Sequence, residues 1–275
     1  RLHGPPADLA RTLKKRIHES ARLTCSVGVA PNRFLAKIAS DFKKPDGLTV
    51  IRPDQVTDFI DRLPIGKVPG IGPKTQPKVA EFGIRCLGDI RKFPEPTLAS
   101  IFGSYGRRLL ELSRGFDPTP VTPDAPAKSV SSECTLEEDT REKNALTRCL
   151  LEQAEEVAAG LRSEGVKART VVLKIKHADF RLCTRRTTFT PPTQSSKELY
   201  RQALRLLEEY RITQKIRLIG LGATGFVPAN APRQQELFAG EERSREGWEK
   251  VDRTVESIKS KFGDKVIQRA TLKED

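Results

Sequence analysis

Apolar residues recur at helical spacing from the start of the chain. Within residues 7–22, Leu9, Leu13 and Ile17 lie four apart with basic residues between them, which predicts an amphipathic helix. The run 23–29 (LTCSVGV) alternates and ends in Gly-Val, the mark of a short buried strand. A second helix is predicted over 32–39, with Asn32 as its cap and Phe34, Leu35 and Ile38 on its apolar side. The Lys44-Pro45-Asp46-Gly47 turn stops it, and 48–51 reads as another strand. From 54 to 115, short apolar helices are separated by VPGIG (68–72), FGI (82–84), FPEPT (93–97) and FGSYG (102–106). Residues 116–128 hold four prolines and no apolar periodicity, which predicts an extended linker and a domain boundary.

Beyond the linker the period changes. Strands are predicted at 129–135, 170–177, 182–189 and 216–224, with helices at 143–164 and 196–210. A β-α-β-β-α-β order in that length is a split βαβ unit, four strands with two helices on one face. The tail opens with a Pro/Ala/Asn stretch, carries one apolar knot (QQELF, 234–238), and continues as a charged helix over 243–261. The fold class is therefore α+β and multi-domain. Its parts are 1–62, 63–125 (helical), 126–228 (split βαβ) and a flexible tail, 229–275.

Charge narrows the function. The formal net charge is +13. Residues 1–125 carry 21 basic against 13 acidic side chains, 126–228 carry 18 against 13, and 229–275 carry 10 of each. A positive balance spread over the folded body favours a polyanionic partner, most simply nucleic acid, over a basic surface kept for solubility. No stretch reaches the roughly 20 apolar residues of a bilayer span, and no secretory signal is visible, so the expectation is a cytoplasmic protein without membrane contact. The five cysteines are odd in number, far apart in sequence and form no C-x-x-C pair, which predicts reduced thiols and no zinc framework. His3, His18 and His177 share no metal-ligand spacing, so each is expected at the surface or in packing. The chain contains no methionine and starts at Arg1, from which a preceding segment is expected.

Three motifs carry candidate chemistry. In Val68-Pro69-Gly70-Ile71-Gly72, two glycines around one apolar residue let the backbone turn sharply between helices. The amides that follow can face an anion, with Lys74 and Lys78 just beyond to reach a backbone phosphate. This is a helix-hairpin-helix pattern of sequence-independent DNA binders; the bland alternative is a helix–helix turn that binds nothing. In the split βαβ unit, Lys174 and Lys176 alternate on one strand while Arg185 and Arg186 lie on the next, so a sheet face can track duplex phosphates or simply stay solvated. The third motif is the string from Ser26 to Gly47, which ends in the Lys-Lys-Pro turn with Lys44.

That third string resembles a block that closes the palm domain of the Y-family translesion DNA polymerases, and among them the bacterial polymerase IV type. The family's usual Lys after the Asn is Arg33 here, which keeps the charge. VPGIG falls where the family's thumb has its hairpin, and FGSYGRRLLELSRGFDPTPV is similar to the second thumb segment. Lys128-Ser129-Val130-Ser131-Ser132-Glu133 is similar to the first strand of the little finger domain. VVLKIKHADFRLCTRRTTF resembles its central hairpin, and Ile216-Arg-Leu-Ile-Gly-Leu-Gly its closing strand. The resemblance implies the C-terminal part of a palm (1–62), a thumb (63–125), a little finger (126–228) and a tail (229–275). It implies that Lys44 contacts the incoming deoxynucleoside triphosphate. Gly70, Gly72, Lys74 and Lys78 would hold the DNA backbone, and Lys128, Ser129, Lys174, Lys176, Arg185 and Arg186 the duplex. Gln234-Gln235-Glu236-Leu237-Phe238 resembles the Q-x-x-L-F motif that engages the bacterial β sliding clamp, with Gln234, Leu237 and Phe238 as contacts.

One departure is large. The family's two Mg²⁺ ions are held by an N-terminal D-x-D-type strand and a later S-x-D-E turn, and neither occurs here. The clusters Glu137-Glu138-Asp139, Glu155-Glu156, Glu208-Glu209 and Glu241-Glu242 read as solvated faces beside helices or in the tail. No residue of this chain is expected to be catalytic or to bind metal. The implied enzyme is a DNA-directed DNA polymerase acting on damaged primer–template as a monomer, its metal carboxylates lying outside this chain. Two rivals are a non-catalytic accessory relative and a plain helix-hairpin-helix module; Lys44-Pro45-Asp46-Gly47 argues against the first, the split βαβ unit and QQELF against the second.

Overall fold

The computed structural model describes residues 4–123, 125–231, 240–263, 266, 267 and 269, without the side chains of 240–246. The chain forms two units, 1–124 and 125–275.

In the first unit, α1 (Pro6–Ala21) starts on a proline whose missing N–H costs nothing at a helix start. It is followed by β1 (Val27–Val29), α2 (Arg33–Phe42) and β2 (Leu48–Val50), and the two strands pair in parallel across the helix. Asn32 caps α2 as expected: its Oδ1 accepts the Leu35 amide at 3.0 Å. Leu9 and Leu13 stay about half exposed, so the apolar stripe of α1 is not buried within the described chain. Short helices follow: α3 (Val56–Arg62), α4 (Gln76–Glu81), α5 (Glu95–Phe102) and α6 (Tyr105–Ser113), with 3-10 turns at Ile65–Lys67 and Leu87–Lys92. One core runs from Phe34 and Leu35 of α2 through Ile60, Leu63, Val79, Ile84, Leu87 and Leu98 to Leu109.

The start of the linker is not free. Asn32 Nδ2 donates to the Gly115 carbonyl at 2.8 Å, and Asp117 accepts the Phe34 amide at 3.0 Å and pairs with Arg108. Burial pushes the Asp117 carboxyl up, but its bonds to Thr119, Arg108 and Phe34 win and bring it down to about 2. Residues 115–117 are thus tied to the N-terminus of α2, a long-range contact that no local pattern announces.

The second unit is β3 (Ser129–Thr140), α7 (Lys143–Ser163), β4 (Val166–His177), β5 (Leu182–Thr193), α8 (Ser196–Glu208) and β6 (Ile216–Pro228). The strand order is β3-β6-β4-β5, antiparallel throughout, so each βαβ half is split by a strand of the other. The strands outrun their sequence-based lengths. β5 continues through Pro191 and Pro192, which an edge strand tolerates, and edge strand β3 absorbs Glu137-Glu138-Asp139, which lie in a strand and not beside a helix. Val171, Leu173, Ile175, Ile219, Leu221 and Ala223 face Leu146, Leu150, Leu161 and Leu199 of the two helices. His177 is fully buried, bonded through Nε2 to Tyr210 Oη at 2.7 Å. Cys134 and Cys149, distant in sequence, meet at 3.9 Å, and burial together with Cys134 pushes the Cys149 thiol up to about 11.

The expected flexible tail carries a docked helix, α9 (Gly240–Phe262). Asp252 is buried and accepts both the amide (2.9 Å) and the hydroxyl (2.6 Å) of Ser196, capping α8 from outside. Glu256 pairs with Arg162 at 2.7 Å, Glu249 with Lys167 at 3.1 Å, and Trp248 lies under Lys197. Glu155 is no solvated carboxylate, since Arg269 and Lys259 both reach it. These separate polar contacts to distant partners hold the helix down, and they leave no apolar periodicity in the sequence.

Candidate nucleic-acid interface

In the first unit the candidate surface is built from backbone. Val68 and Ile71 insert into the core and pin both ends of a tight turn. The two glycines between and after them have different duties. Gly70 sits at φ +92°, where a Cβ would lie 3.1 Å from the Tyr105 ring, and Tyr105 Oη donates to the Pro69 carbonyl at 2.6 Å. At Gly72 a Cβ would meet nothing within 4 Å, so the fold does not demand glycine there. The Gly72 carbonyl accepts the Thr75 and Gln76 amides and starts the next turn. Among the described residues the amides of Gly70, Gly72 and Lys74 have no acceptor, and all three residues are exposed. Helix α4 is only six residues and begins at Gln76. Lys74 is exposed; Lys78 donates to the Ser100 carbonyl at 3.3 Å.

In the second unit it is built from register. Pairing places four rows on the sheet face opposite the helices: Ser129–Thr224–Thr170–Thr188, Ser131–Gly222–Val172–Arg186, Glu133–Gly220–Lys174–Thr184 and Thr135–Leu218–Lys176–Leu182. On this face β6 is small at Thr224, Gly222 and Gly220, while β4 beside it carries Thr170, Val172, Lys174 and Lys176. Lys174 reaches across Gly220 to Glu133 at 2.6 and 2.8 Å, and a Cβ at Gly220 would come within 2.8 Å of Glu133 Cγ. That ion pair needs the glycine beneath it.

The register also separates two adjacent arginines. Arg186 opposes Val172 on the open face, while Arg185 opposes Leu173 on the helix-covered face and lies over the Tyr210 ring at 5.5 Å. Consecutive strand residues point to opposite sides, so of the four cations expected to hold the duplex, Lys174, Lys176 and Arg186 share the open face and Arg185 does not.

Known proteins share these parts in this order. Residues 127–237 match the impB/mucB/samB family C-terminal domain, 1–41 the impB/mucB/samB family, and 53–84 the IMS family HHH motif, which spans the hairpin. The DNA polymerase IV of Caulobacter vibrioides is 39% identical over 264 residues, covering 96% of this chain and 64% of the relative. That of Desulfatibacillum aliphaticivorans is 34% identical over 279 residues, covering 100% and 69%. The chain belongs to the Y-family DNA polymerases. A solved Y-family DNA polymerase chimera of Dbh and Dpo4 aligns at 30% identity and a TM-score of 0.63, over 81% of this chain and 64% of that one. The chain thus spans about two thirds of the length of these relatives.

Among Y-family features, Lys44 stands in an exposed turn after α2, its Nζ 2.5 Å from Asp41 Oδ1. That hydrogen bond and charge hold the Asp41 carboxyl below its usual range. Lys14 donates to the Cys25 and Asp46 carbonyls and to the Asp46 carboxylate, which fixes the far side of the turn. Lys128 and Ser129 are exposed where β3 begins. Gln234, Leu237 and Phe238 lie outside the described residues. Among the described residues no group of three or more His, Cys, Asp or Glu side chains converges to hold a metal ion. The described residues therefore offer no carboxylate set that fits a two-Mg²⁺ centre. Sequence reading missed Glu133 and Tyr105. Only the strand register could have exposed the first, and only packing the second.

Proposed function

We propose that this chain is the DNA-gripping part of a DNA-directed DNA polymerase of the polymerase IV type, serving damage-tolerant synthesis in the bacterial cytoplasm. The observation that carries the reading is the open sheet face. It carries Lys174, Lys176 and Arg186 beside the small residues Thr224, Gly222 and Gly220 of β6, and it is backed by a full hydrophobic core. A duplex backbone can approach such a face closely, and the contacts carry charge without base information. The hairpin amides at Gly70, Gly72 and Lys74 supply a second, separate phosphate contact. Lys44 meets the triphosphate of the incoming nucleotide once Asp41 yields it. The intact enzyme would need carboxylates from outside this chain to hold the two Mg²⁺ ions, whose chemistry when bound would be activation of the primer hydroxyl and stabilisation of the leaving pyrophosphate. The Gln234-Gln235-Glu236-Leu237-Phe238 segment tethers the protein to a sliding clamp, which raises processivity through local concentration.

The test is direct. The purified chain binds labelled primer–template with an affinity that falls steeply with salt, and extends no primer when Mg²⁺ and deoxynucleotides are added. Absence of DNA binding overturns the reading. Steady nucleotide incorporation overturns the placement of the metal ligands outside this chain.

A further inference from the structure

The hairpin joining β4 to β5 puts a phenylalanine where packing gains nothing from it. Phe180 is 61% exposed and sits at φ +64°, a left-handed conformation that costs an aromatic residue strain and suits Gly or Asn. The turn is firmly built: the Phe180 amide donates to the His177 carbonyl at 2.9 Å, and His177, fully buried, receives no slack because its own amide donates to the Arg181 carbonyl at 3.0 Å. The Ala178 amide ties the same turn to the Lys215 carbonyl at 3.1 Å. Neither burial nor turn preference explains the residue. Its ring contacts do: Lys176 Nζ lies 5.2 Å and Arg217 Cζ 5.0 Å from the ring centroid. Lys176 belongs to the last row of the open face, and Arg217 is displaced into a bulge beside it, 3.7 Å from Asp139. A strained residue with an exposed ring points to function before stability.

We propose that Phe180 is a positioning residue for polyanion binding: its ring gathers Lys176 and Arg217 at the end of the open face and presents both cations to one stretch of phosphodiester backbone. Free lysine and arginine side chains lose rotamer freedom when they engage a phosphate. A ring that already restrains them has removed part of that loss before binding. The inference rests on the DNA-binding reading of that face.

The experiment compares the full chain with Phe180→Gly and Phe180→Tyr by fluorescence anisotropy on a primer–template duplex across a salt series, with melting temperatures alongside. Phe180→Gly relieves the left-handed strain, so it melts no lower than the parent yet binds about fivefold more weakly. Phe180→Tyr retains the ring and binds within about twofold of the parent. Lys176→Ala weakens the parent more than it weakens the Phe180→Gly variant, because the ring and the lysine act together. Parent-like binding by Phe180→Gly, equal losses in the Gly and Tyr variants, or a loss that tracks a lowered melting temperature each overturns the proposal while leaving the DNA reading intact. Failure of the parent to bind overturns both.

Discussion

The two candidate surfaces solve one problem by different means. The hairpin of the first unit presents backbone: its shape depends on Gly70 at positive φ, on Tyr105 against it, and on two apolar side chains anchoring the turn. The open face of the second unit presents side chains, set by strand register and by which residues are too small to intrude. A backbone surface depends on where its amides point, so it is sensitive to an added Cβ at Gly70, which is at positive φ against Tyr105. A side-chain surface tolerates shape changes at its edges but is tuned by every carboxylate placed near its cations. Glu133 shows this, since it pairs with Lys174 on the open face itself. Affinity in the second unit is therefore adjustable in both directions through its charged side chains.

The sharpest break in that contrast comes from the paired glycines. Gly70→Val forces a β-branched residue into the left-handed region and against Tyr105, and is expected to destabilise the first unit by about 2–3 kcal/mol in thermal melts. Gly72→Val leaves the melt unchanged and weakens binding to all DNA sequences alike. If both variants unfold equally, or if sequence preference shifts, the backbone reading of the hairpin is wrong.

Asp117 tests how far the hairpin unit depends on its tie to the linker. Its folded carboxyl titrates near 2, below the ordinary value of 3.8, so the stabilisation is present above about pH 4 and is lost as pH falls toward 2. Asp117→Asn should cost on the order of 2 kcal/mol at pH 7 and flatten the acid limb of the stability curve. An unchanged acid limb in the variant would place the effect elsewhere, with Asp89, also near 2 through its bonds to Lys92 and Cys86, the first candidate.

On the sheet the effects are smaller and of opposite sign. Glu133→Gln frees Lys174 and is expected to tighten duplex binding about threefold, whereas Lys174→Ala leaves an unpaired carboxylate on the face and weakens it about tenfold. Both follow from anisotropy at fixed ionic strength, and equal loss in the two variants would mean the ion pair itself, not the freed lysine, meets the DNA. The smallest effect separates the neighbours: Arg186→Ala should weaken binding about threefold and lower the salt slope by about one. Arg185→Ala, on the covered face, should change affinity less than about twofold. Matching losses would show that the strand register does not govern which cations meet the duplex.

Local chemistry carried much of this into the sequence. The alternation of Val171, Leu173 and Ile175 against Thr170, Val172 and Lys174 already separates a buried face from an open one, and Asn32 three residues before Leu35 already marks a helix start. Strand ends were not legible, because polar edge strands and Pro191-Pro192 look like loop until a neighbour supplies hydrogen bonds. The docking of α9 was not legible either. Its contacts are single ion pairs and hydrogen bonds, such as Glu256 with Arg162, 94 positions apart, and Asp252 with Ser196, and they leave no periodic trace.

The sequence alone therefore determined the element types, the split βαβ order, the tight turn at Gly70 and the positive charge of the body, since each depends on residues within a few positions of one another. Only the tertiary structure decided which cations remain available. It bonded Lys174 to Glu133, turned Arg185 away from Arg186, gathered Lys176 and Arg217 on Phe180, and tied Lys78 to Ser100. The reason is range. Backbone preference and hydrophobic period act within a helical turn or along a strand, whereas pairing and burial of charge depend on partners that only folding brings within a few ångströms.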